Sequence, residues 1–111
     1  MRPTETLLAT VSAASNRTSG DLFLGDYIGY SMTVLISGSD IAGTLKLQAS
    51  NDQTTYVDIS GSSQSITSSA DHIWSISDAQ YLYVRAVWTT SSGTGNITIT
   101  GFVKEPYKLS V

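Results

Sequence analysis

The chain of 111 residues contains no cysteine. Disulfide bridges and thiolate metal sites are therefore excluded, and packing and hydrogen bonds must hold the fold in either redox compartment. Charge is scarce as well: Asp, Glu, Lys and Arg make up 14% of the residues, where soluble domains usually carry about 25%. Arg2, Arg17, Lys46, Arg85, Lys104 and Lys108 are scattered, and the net charge is −3. A sequence-independent grip on nucleic acid needs clustered cations that neutralise phosphates, so no nucleic-acid partner is expected. No apolar run approaches the ~20 residues of a membrane-spanning helix, and no membrane partner is expected either. The amino end, MRPTETLLATV, lacks the basic start and apolar block of a secretory signal. Helical periodicity is missing too. No stretch keeps apolar residues at i, i+3, i+4 and i+7 without glycine or clustered β-branched residues intruding.

What remains is apolar and hydroxyl-rich. Hydrophobic residues make up 41% of the chain, and there are 18 Ser and 14 Thr. That is enough for one core and too little chain for two. The surface it implies can form hydrogen bonds but carries little charge, which suits contact with other proteins. Two matches to the N-glycosylation pattern, at Asn16 and Asn96, carry little weight because that pattern is common by chance.

The block Tyr81–Phe102, YLYVRAVWTTSSGTGNITITGF, is the most informative. Side chains on a strand point alternately to opposite faces. Leu82, Val84, Ala86 and Trp88 therefore share one face, and Tyr81, Tyr83, Arg85 and Val87 the other. Beyond a turn marked by Gly93 and Gly95, Ile97 and Ile99 share a face. The pattern predicts a closing hairpin of Tyr81–Thr89 with Gly95–Val103. Upstream, strands are expected at Thr6–Ala14, Asp21–Gly25, Tyr27–Ser37, Thr44–Ala49, Thr55–Ile59 and His72–Ile76. Ile28, Tyr30, Met32, Val34 and Ile36 share one face, and Leu45, Leu47 and Ala49 point inward. Asn51 and Asp52 mark a turn after Thr44–Ala49, since their side chains bond the local backbone. Gly61–Asp71 reads as a polar loop around Ile66.

Many short strands with close turns predict an all-β, antiparallel β-sandwich of jelly-roll-like type, with an immunoglobulin-like sandwich as the rival. It would form a single domain over 1–111, with short arms at 1–5 and 104–111. The expected core includes Leu45, Leu47, Leu82, Val84, Trp88, Ile97 and Ile99. The expected structural turn residues are Asn51, Asp52, Gly93 and Gly95.

Several residues of this sequence resemble a family. Gly43-Thr44-Leu45-Lys46-Leu47-Gln48-Ala49-Ser50-Asn51-Asp52 resembles the "GTLxLQxSND" strand and turn of small structural proteins of tailed bacteriophages. Tyr83–Trp88 followed by Ser91-Ser92-Gly93-Thr94-Gly95 is similar to their "YVRVxYTxSSGTG" block. The resemblance spans roughly residues 20 to 103 and departs at Gln53, where glycine is usual, and at Tyr56, where tryptophan is commoner. Gln53 argues against a turn that needs positive φ at that position.

The resemblance implies a non-enzymatic virion protein with no cofactor, assembled in the host cytoplasm. The favoured role is a capsid decoration protein that binds the major capsid protein in many copies. A tail, adaptor or head-fibre component is the alternative. A homo-oligomer is implied, with a trimer favoured by analogy to head-decorating β-domains.

The chemistry-bearing residues point the same way. His72 is the one histidine, beside Asp71 and near Asp78, but no nucleophile elbow accompanies it. It reads as a strand-edge or interface residue. Asp52, Asp58, Asp71 and Asp78 lack the alternate-position spacing of a calcium loop. Trp74, Trp88, Tyr27, Tyr30, Tyr56, Tyr81 and Tyr83 raise the possibility of a glycan platform. Tyr81, Tyr83 and Arg85 read better as a protein contact, because aromatics and Arg are enriched at interfaces. Arg85 is either an outward residue among tyrosines or one half of an intersubunit ion pair. Pro106, Tyr107 and Leu109 are expected to reach a neighbouring subunit with the carboxyl-terminal arm.

Overall fold

The computed structural model describes residues 4–25, 27–38 and 40–106. Its strands are β1 (Glu5–Ser12), β2 (Arg17–Thr18), β3 (Leu22–Phe23), β4 (Tyr27–Ser37), β5 (Ala42–Ser50), β6 (Val57–Asp58), β7 (Gln64–Ile66), β8 (Ala70–Ile76), β9 (Tyr83–Ser92) and β10 (Asn96–Pro106). One sheet runs β1-β10-β4-β8. The other runs β2-β9-β5-β6, with β3 also on β9 and β7 also on β5. All their pairings are antiparallel. The two sheets pack face to face as a sandwich.

The chain changes sheet between β1 and β2, β3 and β4, β4 and β5, β7 and β8, β8 and β9, and β9 and β10. Only the run β5–β6–β7 turns back within one sheet. The expected all-β antiparallel sandwich is thus present, with most connections crossing between its two layers. β10 runs on through Lys104 to Pro106, opposite Gly29 and Tyr27, and β1 begins at Glu5. The sandwich thus takes up parts of both expected arms. Proline is tolerated at a strand end because it removes only one donor from the ladder.

The expected closing hairpin is not present. β9 and β10 lie in different sheets and face each other across the core. An apolar row of period two on each strand, here Val84, Ala86 and Trp88 against Ile97 and Ile99, fits a facing pair as well as a paired one. The connection between them decides. Gly93 has φ +84°, and a Cβ there would collide with the Asp40 carbonyl. A Cβ on Gly95 would collide with the Ser37 carbonyl. The two glycines let the arch press against the backbone of Ser37, Asp40 and Ile41 as it crosses between layers.

Leu45, Leu47, Val84, Trp88, Ile97 and Ile99 are fully buried, as expected. Leu82 is not: it is 40% exposed. Residues 81 and 82 form a bend ahead of β9, so the strand's alternation does not extend to them. Tyr81 turns inward in its place. The Trp88 indole donates to the Ala13 carbonyl at 2.8 Å, which satisfies its one polar atom inside the core. Trp74 does the same with the Ser62 carbonyl at 3.2 Å. The polar Gly61–Asp71 segment contains β7, whose Ile66 is buried against Gly43 of β5. Here tertiary pairing overrides a composition that looks like a loop.

The rows flanking β9 and β5 are both broken, β2 from β3 and β6 from β7. A buried serine stands at each break. The Ala86 N–H donates to Ser19 Oγ at 2.9 Å, and the Leu47 N–H donates to Ser62 Oγ at 3.0 Å. Ala86 and Leu47 are register partners, so the two breaks lie level with each other.

A buried donor left without an acceptor costs about 1–3 kcal/mol. Ser62→Ala is therefore expected to lower unfolding stability by that amount in urea titrations, with Ser63→Ala nearly neutral. Gly95→Ala should cost about 1–3 kcal/mol through forced backbone displacement. Thr94→Ala, exposed in the same arch, should stay within about 0.5 kcal/mol of the parent.

Candidate interaction surface

The outer face of the β9-containing sheet brings together the polar and aromatic residues singled out from the sequence. On β9 the alternation sends Tyr83, Arg85 and Val87 outward. The register sets Arg85 opposite Gln48 of β5, and Gln48 opposite Asp58 of β6. Phe23 of β3 lies opposite Tyr83, with ring centroids 5.2 Å apart and tilted at 38°. The Arg85 guanidinium lies over the Tyr56 ring, 3.5 Å from its centroid, and its Nε donates to Gln48 Oε1 at 2.9 Å. Gln48 Nε2 donates in turn to Asp58 Oδ1 at 2.9 Å. Lys46 Nζ pairs with Asp58 Oδ2 at 3.0 Å. The Tyr56 hydroxyl donates to Asp21 Oδ2 at 2.7 Å, and Gln53 Nε2 donates to the same oxygen at 3.0 Å.

This chain of bonds holds Arg85 in place without neutralising it. Among the described residues the one salt bridge is Lys46–Asp58, and no carboxylate lies within ion-pair distance of Arg85. The hydrogen bond to Asp21 pushes the Tyr56 hydroxyl above its usual pKa, with desolvation adding to it. Bonds from Gln48 and Lys46 hold Asp58 below the usual carboxylate range. Asp52 is lowered too, chiefly by the backbone N–H groups of Thr55 and Thr54, which donate to its Oδ1 at 2.9 Å each.

The expected site residues separate into groups. Tyr83 and Arg85 face outward together, as the alternation requires. Tyr81 does not join them: its hydroxyl shares a 2.8 Å hydrogen bond with that of Tyr30, and burial raises the pKa of both. The bend at residues 81 and 82 is the reason, because it turns Tyr81 toward the core. Pro106 ends β10 opposite Tyr27, while Tyr107 and Leu109 lie outside the described residues. Asn51 Oδ1 accepts from the Leu82 N–H at 2.9 Å, so the turn also pins the approach to β9. Gln53 does adopt positive φ, at 60°, against expectation. The N–H groups of residues 52 to 55 bonded to Ser50 and Asp52 close the turn tightly enough to hold a non-glycine residue there.

His72 faces inward against Trp74, with ring centroids 4.7 Å apart, on the opposite strand face from Asp71. Asp78 accepts from Gln80, and Asp52, Asp58 and Asp71 stand in separate settings. Among the described residues no group of three His, Asp or Glu side chains is placed to hold a metal ion. Sequence reasoning missed Phe23 and Asp21 as parts of the surface. The alternation of Leu22 with Leu24 puts Phe23 on the outer face, and that signal was available.

No family model matches the chain, and no curated protein matches it by sequence. Among solved structures, the chain is similar to SPBc2 prophage-derived protein YomS, with a TM-score of 0.65 and 22% identity over 91% of this chain and 90% of that one. It is also similar to PBSX exported protein XepA, with a TM-score of 0.63 and 12% identity. That match takes in 98% of this chain but only 39% of XepA. At these identities the likeness is one of fold.

Asp52 and Asp58 bind protons less readily in the folded state than when unfolded. The stability they contribute is full above the ordinary carboxylate value of 3.8 and is lost as pH falls through their lower folded values. Urea midpoints for Asp52→Asn should therefore fall below the parent at neutral pH and converge with it as the pH falls below 3.8. A pH-independent gap would show that the carboxylate charge at position 52 is not what matters.

Proposed function

We propose that this protein is a non-enzymatic structural protein of a bacteriophage virion, and that it works by docking through the outer face of its β9-containing sheet. The observation that carries this reading is Arg85: a cation fixed over Tyr56 and bonded to Gln48, with no carboxylate of its own. A partner that presents an acidic side chain beside an apolar contact for Phe23 and Tyr83 would complete it. Pre-ordering matters because a side chain already held in its bound geometry loses little conformational freedom on docking. Tyr, Arg and Phe are also the side chains that anchor interfaces most often.

The phage assignment draws on two supports. The strand-and-turn blocks around Gly43–Asp52 and Tyr83–Gly95 resemble those of small phage structural proteins, and the fold is shared with a prophage-derived protein over nearly the whole of both chains. Within that class the favoured role is capsid decoration, with many copies bound to the major capsid protein. Such a protein stabilises by repeated burial, since ~1,600 Å² per contact is a standard interface and symmetry multiplies it.

The test is density-gradient sedimentation of phage particles with the purified protein, followed by electron microscopy of labelled particles. Co-migration in many copies on the head is the expected result. Arg85→Glu should lower particle affinity about thirtyfold, corresponding to the ~2 kcal/mol of a central anchor, with thermal stability little changed. Label at the tail or fibre would move the role to an adaptor. Protein left at the top of the gradient with every particle type would overturn the virion reading.

A further inference from the structure

We propose that β8 is a self-pairing edge, and that two copies of the chain join there to make one continuous sheet across a two-fold axis. An exposed strand edge is a template for another strand, and proteins usually blunt it by brevity, bulges, proline or lysine. Three of the four sheet edges are blunted in this way. β2 with β3 and β6 with β7 are short, broken rows. β1 carries register shifts on both sides of Leu8. β8 is different: it pairs with β4 without a shift from Ala70 to Ile76. Its sequence ADHIWSI contains neither lysine nor proline. Among the described residues it pairs with no strand but β4. Ile73 stands at its centre, 60% exposed on the outer face.

An antiparallel pair of β8 strands centred on Ile73 sets Ile73 opposite Ile73, Asp71 opposite Ser75 and His72 opposite Trp74. No like charges meet. The Asp71–Ser75 pairing is the informative one, because Lys104 Nζ already donates to Ser75 Oγ at 2.6 Å. Directly opposed residues have Cβ atoms about 5 Å apart. The pairing therefore brings Asp71 of one copy to the Lys104 ammonium held beside Ser75 of the other, and the two-fold repeats this ion pair. The second copy thus supplies both an apolar partner for Ile73 and a carboxylate for Lys104. The edge's own charge pattern specifies this register. The pairing is independent of the virion reading and is measured without particles.

Sedimentation equilibrium of the full chain should show a dimer, where a monomer or a trimer would overturn the proposal. Because the chain has no cysteine, Ile73→Cys introduces a single thiol. It should link two chains on mild oxidation or with a short bifunctional thiol reagent, and Thr98→Cys, on β10 of the same face, should not. Equal linking of the two variants would place the contact elsewhere. Asp71→Lys should weaken the dimer about tenfold or more, and adding Lys104→Asp should restore most of the loss. Circular dichroism melts separate this from misfolding, and a folded double variant that stays monomeric would refute the ion pair.

Discussion

The hydrogen bonds from the Ala86 and Leu47 amides to Ser19 and Ser62 are the interaction on which the sandwich most depends. β9 and β5 form the centre of their sheet, yet the rows on both sides of them are interrupted at the same level. Without the two hydroxyls, the interior strands would present bare amides to the core at the point where Trp88 and Leu45 must pack. A serine can stand in for a strand because its hydroxyl accepts the amide, and at Ser19 the backbone N–H also donates to the Ala86 carbonyl at 2.9 Å. At each break the chain stays in its own sheet, passing from β2 to β3 along β9 and from β6 to β7 along β5. The crossings between layers come at other connections, as between β3 and β4 and between β7 and β8.

The crossing between layers also explains why the two strands of the Tyr81–Phe102 block are separated. Val84, Ala86 and Trp88 line one wall of the core, and Ile97 and Ile99 line the other. The glycine arch joins them. Because almost every ladder pairs strands distant in the chain, little of the fold can form before those distant segments meet. The two indole N–H groups drawn into the interior are satisfied by backbone carbonyls, Trp88 on Ala13 and Trp74 on Ser62.

The two outer faces are chemically unlike. That of the β9-containing sheet is a bonded array, running from Asp21 through Tyr56, Arg85 and Gln48 to Asp58 and Lys46. Its geometry is fixed before any partner arrives, and Arg85 is its unanswered charge. The outer face of the other sheet is mostly threonine and serine, with Leu35 and Ile73 exposed among them. The first is the docking face proposed above, and the straight edge of the second is the proposed site of pairing with another copy.

Alternation along the chain determined which residues are buried. Tyr30, Met32, Val34 and Ile36, Leu45 and Leu47, and Val84, Ala86 and Trp88 all lie inside as their period of two requires, because a strand has only two faces and one of them meets the core. The same rule puts Tyr83 and Arg85 outside. It failed at Leu82 and Tyr81, where a bend interrupts the strand and a hydrogen bond to Tyr30 draws the tyrosine inward. Which strand lies beside which was left to the tertiary structure, since paired and facing strands carry the same apolar rows. The arch at Gly93 and Gly95 was legible as a turn but not as a crossing. Its destination depends on the carbonyls of Ser37 and Asp40, more than 50 residues away in the chain.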